Sequence, residues 1–308
     1  MTARPKIILD CDPGHDDAMA ILIAAHHTDL LGITTVSGNA PLEMTTRNAL
    51  LVSQIADIDV EVHSGADRPL HVEPKHASHV HGRTGLDGPV LPELERRVVS
   101  TDAVTFIIDT VRQNDDVWLV PVGPLTNIAL AFMAAPDIVE RIAGISLMGG
   151  SAGPGNVTPV AEFNIWADPH AAHLVLASSA PRIIMAGLNL TSQYMVDQVT
   201  ADRLNAMGSV TGTFAAQVVE AYVEAGLRIR GVPSANMHDP CAVMAVTHPN
   251  LFTWTDSHVD VSTEGITIGM TVVDDRGFGS AEPNVEVLRN IERDAAIEVF
   301  VGSVATYR

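Results

Sequence analysis

The chain of 308 residues carries 18 lysine and arginine side chains against 37 aspartate and glutamate side chains, a formal net charge of −19. Such an excess of carboxylates excludes a protein that binds the nucleic-acid backbone, because no basic face remains for the phosphates, and it argues equally against docking on anionic lipid. An apolar content of 46% can fill a sizeable core, and two cysteines, Cys11 and Cys241, are too few for a disulfide scaffold.

Short apolar runs typical of strands alternate with longer helical patterns along most of the chain. The predicted strands are residues 6–9, 33–37, 60–63, 117–122, 145–148 and 182–186. The predicted helices are residues 16–27, 42–56, 101–113, 127–135, 168–177, 213–227 and 239–247, followed by a hairpin over 259–273 and a closing helix over 292–304. Because the strands are apolar throughout, the pattern predicts an α/β fold with a mostly parallel central sheet and helices on both faces.

Residues 64–100 break this alternation. The segment is rich in His, Pro and Gly and is too long for an ordinary connection, which indicates a functional loop or lid. No linker or composition shift divides the chain, so we expect one domain over residues 1–308. The longest apolar stretch, residues 18–25, is too short to span a bilayer, and the start lacks a secretory apolar region. We therefore expect a reduced, soluble, cytoplasmic protein.

Four carboxylates follow the first predicted strand within one strand-to-helix turn: Asp10, Asp12, Asp16 and Asp17. In an open α/β sheet this turn lies at the carboxyl ends of the strands, where ligands bind. A helix N-cap explains one aspartate but not four, and four like charges raise one another's pKa unless a cation lies between them. Oxygen-only ligands suit a hard ion such as Ca²⁺ or Mg²⁺.

A second interpretation of the same turn is a phosphatase. Asp10-x-Asp12 followed by Gly14 is similar to the nucleophile turn of haloacid-dehalogenase-type phosphatases, in which the first aspartate attacks phosphorus. Against it, Pro13 interrupts that motif and no Thr or Val follows the glycine. It is kept as the alternative.

The whole turn, Asp-x-Asp-Pro-Gly-x-Asp-Asp over residues 10–17, resembles the signature of the inosine–uridine-preferring nucleoside hydrolases. Four further segments match in the same order: 38–39, 123–127, 148–150 with 156 and 162–164, and 238–240. Residues 81–88 are similar to the subset that includes bacterial pyrimidine-preferring enzymes. The resemblance covers nearly the whole chain and implies a Rossmann-like fold and hydrolysis of ribonucleosides to base and ribose, with pyrimidine nucleosides slightly ahead of inosine.

The resemblance also implies roles for individual residues. The metal is Ca²⁺, held by Asp12, Asp17, the backbone carbonyl of Thr126 and Asp239, and Asp12 is also the general base. His238 and His81 lie on the leaving-group side. The implied substrate-binding residues are Asp16, Asn39, Met148, Asn156, Glu162, Phe163 and Asn164. An extended segment through Phe163 would place the Glu162 and Asn164 side chains on one face.

Several of these residues have a plainer interpretation. Asn156 reads locally as a turn residue, Met148 as core filler, and His81 equally as lid polarity or as a contact to the base. The other histidines considered are expected on the surface: His26, His27, His63, His71, His76, His79 and His248. Cys11 is expected to point away from Asp10 and Asp12 as a small buried hydrophobe.

Two questions stay open at this level. Arg228 and Arg230 precede His238 and either reach the pocket or are solvated. A non-catalytic protein that binds Ca²⁺ and ribosides is a further alternative, and a homo-oligomer, dimer or tetramer, is suggested by the family resemblance alone.

Overall fold

The computed structural model describes residues 4–278 and 281–308. Within these ranges the chain forms eleven β-strands, numbered in chain order. They are β1 (Lys6–Cys11), β2 (Asp29–Thr35), β3 (Val62–Ser64), β4 (Val117–Pro121), β5 (Gly144–Met148), β6 (Ile183–Ala186), β7 (Met195–Val196), β8 (Ala235–Asn236), β9 (Phe252–Val261), β10 (Thr271–Asp274) and β11 (Val285–Ile291).

Twelve α-helices connect and cover the strands in the same ranges. They are α1 (His15–His27), α2 (Leu42–Ile55), α3 (Ser78–His81), α4 (Ala103–Gln113), α5 (Thr126–Ala134), α6 (Phe163–Ala167), α7 (Pro169–Leu176), α8 (Leu188–Thr191), α9 (Gln198–Asn205), α10 (Val210–Arg230), α11 (Pro240–Thr247) and α12 (Arg293–Val304). Among the helices described, none is both long and apolar enough to cross a membrane.

Nine strands form one sheet in the order β10-β9-β11-β6-β5-β4-β1-β2-β3, and β7 pairs with β8 separately. Pairing is parallel from β3 across to β11, whereas β9 and β10 add an antiparallel hairpin at the far edge. The run β3-β2-β1-β4-β5-β6 is the order of doubly wound Rossmann folds, whose ligands bind where the order reverses. Here that point lies between β1 and β4. The predicted parallel sheet is confirmed.

Neighbouring residues of the central strands face opposite sides of the sheet. On β1, Ile7 and Leu9 pack with α1, α2, α10, α11 and α12, whereas Ile8 joins a second core with α4, α5 and α7. A strand alternates its side chains, and both sides are covered here, so every position from Ile7 to Leu9 is apolar. This is the physical reason that the continuous apolar runs predicted a sheet with helices on both faces.

Polar side chains at their N-termini fix where several helices begin. Asp102, Asp168, Asp197 and Ser209 each accept the backbone N–H of the third residue that follows, which satisfies an N–H that the helix itself leaves unpaired. Gly231 ends α10 with a φ of 71°, in the left-handed region that glycine adopts without strain. Ser209 and Gly231 thus fix the two ends of α10, a helix that lines the cavity described below.

The observed elements differ from the predicted ones in identifiable places. β2 covers Asp29–Thr35 instead of 33–37, and α10 runs for 21 residues, well beyond the predicted 213–227. The prediction missed α9 and β11, and also the short elements α3, α6, α8, β7 and β8. β11 mixes apolar and polar residues without a regular period, and it is a strand because it pairs with β6 on one side and β9 on the other. That pairing is a tertiary contact that local sequence does not contain.

Candidate active site

A cavity of about 630 Å³ opens at the carboxyl ends of the central strands, where the strand order reverses. Its walls come from distant parts of the chain, including the long segment after β3 through residues 77–81. Many of the site residues predicted from the sequence line it: Asp16, Asn39, His81, Met148, Asn156, Glu162, Phe163, Asn164, His238 and Asp239. Asp12, Asp17 and Thr126 are buried beside this wall.

Four buried carboxylates form the floor of the site. One oxygen each of Asp16, Asp17 and Asp239 lies within 4.8 Å of the others, close enough to share a metal ion. The carboxylate of Asp17 accepts the backbone N–H of Asp12 at 3.1 Å and that of Gly14 at 2.9 Å, which fixes it at the start of α1. The set predicted from the sequence has Asp12 in place of Asp16.

Burial and mutual repulsion oppose ionisation of this cluster. Burial, followed by the charge of Asp17, raises the pKa of Asp16 to about 8. Burial also raises the pKa values of Asp12 and Asp239 well above the usual range. It raises the pKa of Asp17 as well, although the backbone N–H groups that donate to Asp17 oppose the rise. None of the described lysines or arginines forms an ion pair with these groups. The charged cluster therefore calls for a cation, and its oxygen ligands suit a hard one.

Asp12 follows β1 directly, and two glycine turns enclose its carboxylate. The backbone N–H of Asn39 donates to Oδ2 at 2.6 Å, whereas Oδ1 is buried without a hydrogen-bond partner among the described residues. Gly38 and Gly123 approach the two oxygens so closely that neither has room for a Cβ atom. Because a buried oxygen without a partner is costly, Oδ1 fits a ligand to a cation.

A layer of polar contacts beneath the cluster was not assigned from the sequence. Oδ1 of Asp10 accepts hydrogen bonds from Thr34 Oγ1 at 2.6 Å and Asn127 Nδ2 at 2.7 Å, and burial raises the pKa of Asp10 to about 7. Thr126 donates its hydroxyl to Asp168 at 2.8 Å. These bonds hold the turn after β1 against the start of α5. The available signals were the place of Asp10 in the motif of residues 10–17 and the place of Asn127 in the matching segment 123–127, whereas Thr34, inside β2, had none.

Glu162 and Asn164 both line the cavity, but the backbone that carries them differs from the prediction. The segment is not extended: Glu162 is the N-cap of α6, and its carboxylate accepts the backbone N–H of Asn164 at 2.9 Å and of Gly150 at 2.9 Å. Burial raises the pKa of Glu162 to about 7 against these bonds. The Asn164 amide donates to the carbonyls of Val122 and Met148 at 2.8 and 3.1 Å. Capping, rather than strand alternation, presents both groups to the cavity.

Two histidines predicted for the leaving-group side line the cavity. Nδ1 of His238 lies 2.6 Å from Thr191 Oγ1, and burial lowers the pKa of His238 to about 4. Burial and the neighbouring His15 and His238 lower the pKa of His81 well below its usual value. The rings of His15 and Tyr222, which the sequence analysis did not single out, stack beside His81. His15 stands inside the motif of residues 10–17, and its place there was the only available signal.

The sequence left open whether Arg228 and Arg230 reach the cavity or are solvated. Arg230 lines the cavity and donates to Ser234 O at 2.7 Å, while Arg228 donates to the carbonyl of His79 at 3.2 Å. His79 also lines the cavity. The prediction of a surface position for His63 was wrong, because its ring is buried and stacks on Phe106 with 3.8 Å between centroids.

Comparisons with known proteins agree with this geometry. The sequence model of the family described as inosine-uridine preferring nucleoside hydrolase matches residues 7–298. The chain is 42% identical over 295 residues to the pyrimidine-specific ribonucleoside hydrolase RihB of Escherichia coli strain K12, which covers 94% of each chain. It is similar to the solved structure of the purine-preferring ribonucleoside hydrolase from Gardnerella vaginalis, with 30% identity and a TM-score of 0.92 over 98% of each chain. For the plant nucleoside hydrolase PpNRh1 the values are 28% and 0.90, over 98% of this chain and 99% of that one.

Proposed function

Because the chain belongs to the inosine-uridine preferring nucleoside hydrolase family and hydrolyses the N-glycosidic bond of ribonucleosides, we propose that it prefers pyrimidine ribonucleosides over inosine and requires Ca²⁺. One observation carries the proposal. Four buried carboxylates, Asp12, Asp16, Asp17 and Asp239, gather at the carboxyl ends of the central strands beside a cavity lined with amide and carboxylate side chains. The products are the free base and ribose.

The residues assigned to the ion are Asp12, Asp17, Asp239 and the backbone carbonyl of Thr126. Three carboxylates and a carbonyl leave room in a shell of about 6–8 oxygens for water and two ribose hydroxyls. The unpaired Oδ1 of Asp12 and the repulsion among the carboxylates support this assignment. When bound, the ion balances the negative cluster and orients water and sugar hydroxyls.

Asp12 is assigned as the general base. It takes a proton from the attacking water as the water oxygen bonds to C1′, while the C1′–N bond breaks and its electron pair leaves with the base. Positive charge develops on C1′ and the ring oxygen, as in other glycoside hydrolysis. The buried carboxylates around the sugar stabilise that charge, and the low polarity of their surroundings strengthens the effect.

The rest of the cavity is assigned to the sugar and the leaving group. The residues proposed to bind ribose are Asp16, Asn39, Asn156, Glu162 and Asn164, with Met148 and Phe163 as apolar wall. Each ribose hydroxyl both donates and accepts, which suits a mixture of amides and carboxylates. His238 and His81 are assigned to the base, whose departure as an anion is avoided when a proton donor is near.

The pyrimidine preference is supported by the 42% identity to a relative named as pyrimidine-specific. The similar structure from Gardnerella vaginalis is named as purine-preferring, so the base preference of this chain is the first property to measure.

We further propose that residues 1–308 form one catalytic domain. Two free, buried cysteines support a cytoplasmic location. The proposed homo-oligomer, dimer or tetramer, is measurable by light scattering.

A nucleoside panel with and without chelator tests the proposal. We expect release of uracil from uridine and cytosine from cytidine faster than hypoxanthine from inosine, loss of all activity with chelator, and recovery with Ca²⁺. Chromatographic detection of the free bases measures this. Phosphate release from a generic ester would favour the phosphatase alternative, and tight uridine binding without base release would favour the non-catalytic one.

Calcium is also expected to raise the melting temperature of the chelator-treated protein. A ligand at about 100 times its Kd stabilises the folded state by about 2.7 kcal/mol. Differential scanning fluorimetry over a range of Ca²⁺ concentrations measures the shift, with K⁺ at matched ionic strength as the control. An unchanged melting temperature at millimolar Ca²⁺ would contradict the proposed ion.

Gly38→Ala is expected to lower uridine turnover by about 10²-fold while the protein stays folded. The added Cβ collides with Oδ2 of Asp12 and must displace that carboxylate, and a shift of about 1 Å at a reacting group costs about this much. The matched control is Gly302→Ala in α12, where an added Cβ meets nothing within 4 Å. Comparable uridine kinetics in the two variants would remove the steric argument.

A further inference from the structure

The turn between β4 and α5 lies against the buried carboxylates. Gly123, early in this turn, packs so closely on Oδ1 of Asp12 that a Cβ atom has no room. Thr126, the first residue of α5, is buried. The oxygen assigned to the ion is the backbone carbonyl of Thr126, and a backbone carbonyl has no rotamer of its own. Its direction is set by the peptide unit that joins Thr126 to Asn127.

Asn127 fixes one side of that peptide unit. Its amide nitrogen donates to Oδ1 of Asp10 at 2.7 Å and to the carbonyl of Thr35 at 3.0 Å, and its amide oxygen accepts the backbone N–H of Ala66 at 2.8 Å. The Thr35 carbonyl only accepts and the Ala66 N–H only donates, so the amide has one orientation. Gly65 packs on the amide with no room for a Cβ atom. Asn127 is therefore held to the ends of β1 and β2.

Asp168 fixes the other side through the Thr126 side chain. Its Oδ2 accepts the Thr126 hydroxyl at 2.8 Å and the backbone N–H of Leu70 at 2.9 Å, while its Oδ1 accepts the backbone N–H of Ala171 at 3.1 Å. Only the last of these bonds caps α7. Asp168 is fully buried, whereas Asp102, which caps α4 with the same kind of bond, is exposed. Capping alone does not require the cost of burying a carboxylate.

We propose that Asp168 is a positioning residue that holds the backbone carbonyl of Thr126 in place for the ion. This rests on the proposed function, since it takes the calcium site as assigned there. With Asn127 held as well, the peptide unit cannot rotate without breaking a buried hydrogen bond, which is costly. Asp168 does not line the cavity, so it acts through Thr126 and not on the substrate.

Thr126→Val tests the contact with the smallest change. The substitution removes the hydroxyl and keeps the backbone carbonyl and the branched shape of the side chain. Groups that fix the ligands of a metal typically contribute about 10–100-fold to its affinity, so we expect the Kd for Ca²⁺ to rise by about 10-fold. Calorimetric titration with Ca²⁺ alone, without nucleoside, measures this. Thr126→Ser, which retains a hydroxyl, is expected to recover most of the lost affinity.

Asp168→Asn separates the contact from capping. Asparagine keeps an oxygen for the cap of α7, but its NH₂ group cannot accept the Thr126 hydroxyl. We expect the Kd for Ca²⁺ to rise by about 10–100-fold, and the double variant with Thr126→Val to bind Ca²⁺ no more weakly than Asp168→Asn alone. The melting temperature without Ca²⁺ reports whether each variant folds.

Asp197→Asn is the matched control. Asp197 caps α9 by accepting the backbone N–H of Thr200 at 3.2 Å, and α9 packs on the opposite face of the sheet from α5 and α7. The same loss of a capping carboxylate there should leave the Kd for Ca²⁺ unchanged.

The outcomes distinguish this inference from the proposed function. An unchanged Kd in Thr126→Val, equal losses in Thr126→Val and Thr126→Ser, or losses that multiply in the double variant would each overturn the positioning role alone. A lower melting temperature of Asp168→Asn with an unchanged Kd would leave Asp168 only a structural role, which also overturns it. If the unmodified protein binds no Ca²⁺, the proposed ion is wrong, and this inference with it.

Discussion

Asp12→Ala is expected to lower kcat for uridine by more than about 10³-fold. Removing a general base alone typically costs about 10²–10⁴-fold. The same substitution removes a proposed ligand of the ion, so both the proton acceptor and the balance of charge at the site are affected. Steady-state release of uracil at saturating Ca²⁺ measures the loss.

The structure predicts that this variant keeps its fold. Burial and the charge of Asp17 raise the pKa of Asp12 despite the hydrogen bond from the Asn39 backbone N–H, and Oδ1 lacks a partner among the described residues, so the ionised carboxylate stabilises the calcium-free protein little or not at all. We expect Asp12→Asn, which keeps the volume, to melt no lower than the unmodified protein without calcium and to gain less from added Ca²⁺. Asp29→Ala, an exposed site, is the control. Substantial uridine turnover by either Asp12 variant would remove Asp12 from the base role.

His238→Ala is expected to slow uridine hydrolysis by about 10²–10⁴-fold and to leave p-nitrophenyl riboside within about tenfold. The ring lines the cavity, and Nδ1 is held 2.6 Å from Thr191 Oγ1. When Thr191 donates its hydroxyl hydrogen to Nδ1, Nε2 carries the imidazole hydrogen and can donate it to the departing base. Nitrophenolate needs no such donor.

The ratio of the two losses is the informative quantity for His238. The backbone N–H of His238 donates to Asp16 at 3.2 Å, a bond that alanine retains, so the ribose and metal groups should stay in place. Thr191→Val, which removes the hydroxyl that orients the ring, should give a smaller loss in the same direction. If His238→Ala slows both substrates equally, His238 acts on the sugar or the metal site instead.

Local sequence sufficed for the elements that local physics controls. The apolar runs at 6–9 and 117–122 predicted the central strands because both faces of a covered parallel strand must be apolar. The four aspartates of residues 10–17 predicted a cation because four like charges so close together raise one another's pKa unless a cation lies between them. Glu162 and Asn164 line the cavity, but the prediction of an extended segment was wrong, since a carboxylate that caps a helix and one on a strand look alike in sequence.

By itself, the sequence determined the class of fold, the carboxylate turn and, through its ordered motifs, the family. The resemblance implied that Asp239 joins Asp17 at the ion, but only the tertiary structure decided the other distant contacts: Asp16 beside Asp239, Asn127 beneath Asp10, and His15 against His81. The physical reason is range. Propensity and hydrophobic periodicity act over a few residues, whereas the hydrogen-bond partner of a buried polar atom depends on which strands and helices pack together. The same limit explains β11, whose pairing with β6 and β9 exists only in the folded sheet.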